Sequence, residues 1–207
     1  MIEVEVRGRV ENFEETLEKF RKDKDVQFVK EKDRFTMLFL RKGARSLRED
    51  VENELVDLRI RITNKKPELV LKYGKLSGCE GREEILIPIQ TSDFEKAVEM
   101  LKLLEWNHGV TIATKAYIFN YKDTEFALVK TTGLDYFEAE RIVHEKEDAD
   151  RIIQEIKEVC KEFHLDPIDK DEFFELLEDL NNTGPQRNFD LSEQSFDEIR
   201  ENFKDYF

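Results

Sequence analysis

Apolar and charged residues alternate strictly over the first ten positions, Met1 to Val10. Side chains of a β-strand point alternately to opposite faces, so this pattern predicts a strand with Glu3, Glu5 and Arg7 on its polar face. Two carboxylates about 6.6 Å apart along a strand repel by roughly 2–3 kcal/mol at an effective dielectric constant near 20. Mg²⁺ or Mn²⁺ would remove that repulsion, because hard cations prefer carboxylate oxygen. The pattern therefore indicates either a solvated strand face or a metal site.

Several later segments show the same alternation. Residues 57–63 place Arg59 and Arg61 on one polar face, and the strand that returns after the turn at 64–67 places Lys72 beside them. A later strand repeats the carboxylate pair of the N-terminus as Glu138 and Glu140. The predicted strands after the first one cover 26–40, 57–63, 68–73, 82–89, 110–121, 124–130 and 136–143.

Apolar residues recur every three to four positions in the segments between these strands, which predicts amphipathic helices. Asn12 is the expected N-cap of the first helix. Ser92 and Glu95 form a capping box for the second helix, and Gly109 is its expected end. The predicted helices cover 12–24, 92–109, 145–163 and 169–180. Strands and helices in this order predict an α+β fold.

The chain of 207 residues is long enough for one substantial core with an appendage. The segment 181–185 has the composition of a linker, so we expect one domain over 1–180 and a separate C-terminal tail over 181–207. The tail carries a short amphipathic segment after Ser195. It either packs on the domain or binds a partner, and burial of its apolar stripe favours packing.

Composition excludes several classes of protein. Charged residues make up 40% of the chain and the formal net charge is −14, so no duplex nucleic-acid partner is expected. The sequence shows neither a signal peptide nor a run of eighteen apolar residues, which predicts a cytoplasmic protein without a membrane partner. Its two cysteines are too few for a disulfide framework or a zinc site. The sequence contains no P-loop and no Ser–His or Cys–His nucleophile pattern.

If the apolar faces of the strands pack on helices, their charged faces line a common space. An antiparallel sheet curled into a barrel, with the helices outside, provides such a space. Its basic lining would attract polyphosphate, and its carboxylates would hold a metal ion that the phosphates also bind. The basic candidates are Arg59, Arg61, Lys72, Arg82 and Lys115, and the acidic candidates are Glu3, Glu5, Glu138 and Glu140.

Four motifs in the same order resemble the CYTH domain family, the triphosphate tunnel metalloenzymes. Glu3-Val-Glu5-Val-Arg7 is similar to the E-x-E-x-K signature of that family, with arginine in place of lysine. The other three are Leu58-Arg-Ile-Arg61 with Val70-Leu-Lys72, then Arg82-Glu-Glu84, then Gly133-Leu-Asp-Tyr-Phe-Glu-Ala-Glu140. Together they extend over roughly residues 1–180.

The resemblance implies an eight-stranded antiparallel tunnel that binds a small-molecule triphosphate with Mg²⁺ or Mn²⁺. Family members include inorganic, thiamine and RNA triphosphatases and class IV adenylyl cyclases. The implied catalytic residues are Glu140, Glu84 and Arg7. A lumenal carboxylate, Glu140 or Glu84, would orient the attacking water, and Arg7 takes the place of the signature lysine. The implied metal ligands are Glu3, Glu5, Glu138 and Glu140. The implied phosphate-binding residues are Arg59, Arg61, Lys72, Arg82, Lys115 and Tyr117.

Besides Arg7 in place of the signature lysine, two departures from the family pattern leave the function open. Tyr117 stands where a second cation is usual, and alternation predicts that it faces the tunnel beside Lys115, either to stack on an organic group or to fill space. No acid is found near Val129, where the family commonly has one. Three hypotheses follow: a metal-dependent triphosphatase, an adenylyl cyclase that releases pyrophosphate, and a noncatalytic polyphosphate- or nucleotide-binding protein. A homodimer is compatible with each of them.

Overall fold

The structure is a computed structural model, and it describes residues 2–40, 56–73, 83–131, 133–143, 149–169, 171, 172, 175 and 187–207. The predicted loop at 43–54, the site candidate Arg82 and most of the predicted helix over 169–180 lie outside the described residues. The same is true of the linker at 181–185, so the boundary near residue 180 stays a prediction.

Nine strands form one sheet within the described residues. They are β1 (Ile2–Arg9), β2 (Gln27–Leu40), β3 (Val56–Thr63), β4 (Lys66–Tyr73), β5 (Glu83–Pro88), β6 (His108–Tyr121), β7 (Thr124–Lys130), β8 (Tyr136–Val143) and β9 (Arg187–Asp190). The hydrogen-bonded order is β1-β8-β7-β6-β2-β3-β4-β5, with β9 paired to β6. Among these residues the path has two ends, at β1 and β5, and no hydrogen bonds close it. The antiparallel α+β prediction is confirmed, with nine strands in place of eight.

Four α-helices accompany the sheet in the described part of the chain. They are α1 (Phe13–Lys22), α2 (Phe94–Leu103), α3 (Ala149–Glu162) and α4 (Phe196–Asn202). Short 3₁₀ turns precede α2 at Thr91–Asp93 and follow α4 at Lys204–Tyr206. None of the described helices has the length and apolar character that a membrane crossing requires.

The chain divides into two compact units, and the division falls within β2 and β6. The first unit contains β1, α1, the start of β2, the end of β6, β7, β8 and α3. The second unit contains the rest of β2, β3 to β5, α2, the start of β6, β9 and α4. Each unit buries its own hydrophobic core.

The core of the first unit lies between α1, α3 and the apolar face of β1 and β6 to β8. Phe20 of α1 is fully buried, and its ring stacks on Phe163 at a centroid distance of 4.1 Å. The rings of Phe119 and Phe126 each lie 5.2 Å from the Phe20 ring. The apolar stripe of α1 therefore fixes this helix on one face of the sheet and leaves the opposite face to other residues.

The core of the second unit contains β2, β3, α2 and the C-terminal segment. Phe35 of β2 is fully buried, and the ring of Phe203 lies 4.6 Å from it. The ring of Phe207 lies 5.2 Å from that of Phe94 in α2. Strand β9 pairs with the start of β6. Of the two alternatives for the tail, the described part packs on the protein.

One predicted helix boundary is confirmed and two are wrong. Asn12 is the N-cap residue of α1, although its side chain makes no hydrogen bond to the helix, whereas Asp93 takes the N-cap position of α2 that was expected for Ser92. Helix α2 ends at Leu103. Two residues later, Glu105 adopts the positive φ that glycine commonly provides after the end of a helix. Gly109 lies in β6 instead. A Cβ atom there would lie 1.9 Å from the carbonyl oxygen of Leu38, so the two backbones approach closely only because the residue is glycine.

Candidate functional site

One face of β3, β4 and β5 carries three of the predicted phosphate-binding residues. Arg59 and Arg61 alternate along β3 with Ile60, which is fully buried in the core. The register places Lys72 of β4 opposite Asp57 on one side and Glu84 of β5 on the other. We call this face of the second unit the basic wall. It consists of Asp57, Arg59, Arg61, Glu68, Lys72 and Glu84.

A bidentate ion pair orients Arg59 on the basic wall. Its Nε atom donates to Asp57 Oδ1 at 2.6 Å, and its Nη2 atom donates to Asp57 Oδ2 at 2.5 Å. The Asp57 side chain is only 7% exposed. Two parallel hydrogen bonds to a buried carboxylate fix the plane of the guanidinium group, so Arg59 is held in one orientation.

Arg61 and Lys72 share the remaining carboxylates of the wall. Arg61 Nε donates to Glu68, which lies directly opposite on β4, and Arg61 Nη2 donates to Glu84 Oε1 at 3.3 Å. Lys72 Nζ lies 3.0 Å from the other Glu84 oxygen. Partial burial acts to raise the pKa of Glu84, but Lys72 and then Arg61 outweigh it, and the pKa is lowered. Glu84 is therefore an ionised partner of two cations.

The paired glutamates predicted from the sequence lie on one face of β1 and β8 in the first unit. Glu5 lies directly opposite Glu140, and Glu140 lies directly opposite Glu125 of β7. Arg7 lies opposite Glu138, and its Nε atom donates to Glu138 Oε1 at 3.2 Å. We call this face the acidic wall. It consists of Glu5, Arg7, Glu125, Glu138 and Glu140.

The acidic wall is strongly negative around Arg7. Burial alone would lower the pKa of Arg7, but the carboxylates of Glu5 and Glu138 outweigh burial and raise it well above its ordinary value. Arg7 also contacts Glu5, which precedes it by two residues on the same face of β1. Arg7 thus remains charged at any physiological pH and neutralises part of the wall.

The donor chemistry of the acidic wall suits a hard divalent cation. Directly opposed residues have Cβ atoms about 4.5–5.5 Å apart, and like charges in such positions are destabilising without a counter-ion. Carboxylate oxygens are the ligands that Mg²⁺ and Mn²⁺ prefer. Among the described side chains, no three His, Cys, Asp or Glu residues converge closely enough to hold one ion. The side chain of Glu3 lies outside the described part, and its backbone pairs with Ile142 in β8.

A cavity of ≈ 580 Å³ lies at the turn between β6 and β7. Glu125 and Glu140 of the acidic wall line it, together with Asn120 and Arg141. Small-molecule sites commonly have volumes of about 300–1,000 Å³. One end of the acidic wall therefore borders an open polar groove whose volume falls in this range.

The structure corrects the predicted placement of Lys115 and Tyr117. In β6, Tyr117 lies opposite Leu128, which is fully buried in the core of the first unit. The Tyr117 ring lies 6.0 Å from that of Phe13 in α1, and Lys115 Nζ lies 3.2 Å from Glu31. Both residues are thus on the helix-covered face, opposite to the acidic wall. Alternation does not determine the faces of β6, because both of them carry apolar residues.

Glu125 is the residue of the acidic wall that the sequence did not single out. Its neighbours Phe126 and Leu128 identify β7 as a strand, but they do not show which strand pairs with it. Only the register with β8 places Glu125 opposite Glu140. The expected acid near Val129 is replaced by a small apolar cluster in which Val129 packs with Ala116 and Ile118.

The order of these motifs along the chain agrees with a known family. The model of the CYTH domain matches residues 1–174. The chain belongs to the CYTH domain family. Its described strands carry the glutamate pairs and the arginine pair of the resemblance on β1, β8 and β3.

Solved structures share the fold of this CYTH domain. A protein from Pyrococcus horikoshii has a TM-score of 0.68 and 22% identity, with 85% of this chain and 98% of that chain covered. A Vibrio parahaemolyticus protein described as a candidate adenylate cyclase has a TM-score of 0.63 and 15% identity, with 82% and 94% covered. A Hippeastrum protein described as a candidate adenylyl cyclase with dominant triphosphatase activity has a TM-score of 0.50 and 18% identity, with 84% and 94% covered. No curated protein sequence matches the chain.

Proposed function

We propose that this CYTH domain is a metal-dependent triphosphatase. One observation supports this most strongly: Arg59, Arg61 and Lys72 of the family motifs lie on the same face of the paired strands β3 and β4. Three cations on one face can bind the oxygens of a phosphate chain, which bears several negative charges close together. The description of the Hippeastrum relative as a triphosphatase agrees with this function.

The basic wall would bind the substrate. Arginine forks match the geometry of phosphate oxygens, and charge-assisted hydrogen bonds are roughly twice as strong as neutral ones. Lys72 would contribute a point charge. Because two cations lower its pKa, Glu84 suits the role of a counter-ion better than that of a base.

The acidic wall would hold Mg²⁺ or Mn²⁺ through one or two carboxylates from Glu5, Glu138 and Glu140, with Glu3 as a further candidate, because Mg²⁺ usually keeps several waters and binds substrate phosphates in addition to one or two carboxylates. A bound divalent ion polarises phosphoryl oxygens and lowers the pKa of a bound water. Glu140 lies at the centre of its row, between Glu5 and Glu125, and would accept a hydrogen bond from the attacking water. Arg7 would limit the repulsion between the surrounding carboxylates.

Product analysis tests this function. The purified protein is incubated with inorganic triphosphate, thiamine triphosphate or ATP, with Mg²⁺ or Mn²⁺. The proposal predicts release of orthophosphate, loss of activity in Glu140→Gln and normal activity in Glu18→Gln, whose exposed carboxylate pairs with Lys22 in α1. Pyrophosphate together with a cyclic nucleotide would identify a cyclase instead, as the description of the Vibrio relative suggests. Tight binding without any product would identify a binding protein.

A further inference from the structure

Three carboxylates balance the three cations of the basic wall. Arg59 pairs with Asp57, Arg61 pairs with Glu68 and Glu84, and Lys72 pairs with Glu84. An anion that approaches this wall therefore meets no net formal charge from these six residues. To bind Arg61 or Arg59 through the guanidinium atoms already engaged, it has to replace a carboxylate.

The carboxylates of Asp57 and Glu68 differ in how easily they can be replaced. Asp57 has a short side chain, is 7% exposed and accepts two hydrogen bonds from one guanidinium group. Glu68 accepts from the Nε atom alone, has one more rotatable bond and is 18% exposed. The Glu68 carboxylate can therefore turn away while its strand stays in place, and it leaves behind a buried arginine, since the Arg61 side chain is only 9% exposed.

We propose that Glu68 is a competing counter-ion built into the phosphate-binding wall. Glu68 forms its ion pair with Arg61 when no phosphoryl group is bound, and a phosphoryl group that binds to Arg61 displaces the Glu68 carboxylate. This inference rests on the proposed function and adds a residue that determines specificity. Glu68 lowers the affinity for anions in general and favours ligands whose oxygens carry more charge than a single carboxylate, such as a polyphosphate chain.

The alternative is that Glu68 positions Arg61 for the ligand, as Asp57 positions Arg59. The two roles predict opposite changes when the carboxylate is removed. A competing counter-ion weakens binding, so its loss strengthens binding. A positioning residue supports binding, so its loss weakens it.

The test is the dissociation constant of inorganic triphosphate, measured by titration calorimetry without metal and with a chelator present. We expect Glu68→Gln to bind about tenfold more tightly than the wild type, which corresponds to about 1.4 kcal/mol. Glu68→Asp keeps the charge but withdraws the carboxylate by one methylene group, and it should also bind more tightly. Glu95→Gln is the matched control, because Glu95 pairs with Arg200 on the surface of the same unit. It should change the affinity less than twofold.

The outcomes separate this inference from the proposed function. If the wild type binds triphosphate and Glu68→Gln binds equally or more weakly, Glu68 does not compete, and only this inference fails. If Glu95→Gln gains as much as Glu68→Gln, the effect is one of net charge, which also overturns it. If neither the wild type nor any variant binds triphosphate, the basic wall alone does not bind phosphate and this inference fails, whereas the proposed function is tested by the product analysis with metal present. Thermal unfolding of each variant checks that the compared proteins are all folded.

Discussion

At the scale of single residues, the basic wall combines two kinds of ion pair. The pair between Arg59 and Asp57 is bidentate and its carboxylate is buried, whereas Arg61 divides its donors between Glu68 and Glu84. A bidentate fork adds geometric specificity to charge, because it fixes the orientation of the guanidinium plane. The two arginines of one motif therefore respond differently when a partner is removed.

Asp57→Asn should weaken the binding of triphosphate by about tenfold, since Arg59 loses the carboxylate that orients it. The variant should also lose about 1–3 kcal/mol in the free energy of unfolding, because the charge-assisted hydrogen bonds between Arg59 and the buried Asp57 carboxylate are weakened. Calorimetry and denaturant unfolding measure the two effects. Asp197→Asn, which removes an exposed carboxylate in the same unit, is the control. Unchanged affinity in Asp57→Asn would show that Asp57 does not position Arg59.

The lowered pKa of Glu84 predicts that the free energy of unfolding depends on pH. Its pKa is lowered in the folded protein, so its charge stabilises the fold above the ordinary value of 4.5, and this stabilisation is lost as the pH falls through the lowered value. Glu84→Gln should therefore be less stable than the wild type at pH 7, by about 1 kcal/mol after screening by solvent. The difference should vanish well below pH 4.5. A difference in Tm that stays constant between pH 7 and the acid range would contradict this account.

Some residues could be assigned from the sequence and others could not. Glu5, Glu138, Glu140, Arg59, Arg61 and Lys72 lie on strands whose opposite faces are clearly apolar, so alternation alone placed them correctly on polar faces. Tyr117 lies on a strand whose odd-numbered and even-numbered positions both carry apolar residues, so alternation predicts the wrong face for it. The partners Glu68 and Glu125 depend on the register between strands, which alternation does not fix.

At the scale of secondary structure, the helices cover one face of the sheet, so the charged residues of the acidic wall lie on the other face. Phe13, Leu17 and Phe20 form the buried stripe of α1, which covers the face opposite to the acidic wall. The periodicity of these helices is visible in the sequence, and their existence was predicted. The ends of α2 are less predictable, because the helix begins after Asp93 and ends at Leu103, just before the positive φ of Glu105.

Phe20→Ala tests the attachment of α1. The ring of Phe20 is fully buried among three other aromatic rings, so its removal should cost about 3–5 kcal/mol of unfolding free energy. Phe28→Ala removes the same ring from a site that is 48% exposed and should cost less than half as much. Chemical denaturation of both variants gives the comparison. Equal losses would show that burial of the α1 stripe does not hold the helix on the sheet.

At the scale of the whole molecule, the two walls belong to different compact units. The acidic wall lies on β1, β7 and β8 of the first unit, and the basic wall lies on β3, β4 and β5 of the second. The match to the CYTH domain over residues 1–174 includes the strands of both walls. Location in the cytoplasm and assembly into a homodimer remain predictions from the sequence.

The central claim is that the acidic wall holds the ion on which hydrolysis depends. The most direct measurement is orthophosphate release from inorganic triphosphate as a function of Mn²⁺ concentration, for the wild type, Glu138→Gln and the surface control Glu18→Gln. We predict no release in the presence of a chelator, and at least about a tenfold higher half-saturating Mn²⁺ concentration in Glu138→Gln alone, as expected for loss of one charged ligand. Release that persists without metal, or the same Mn²⁺ dependence in all three proteins, would contradict the claim.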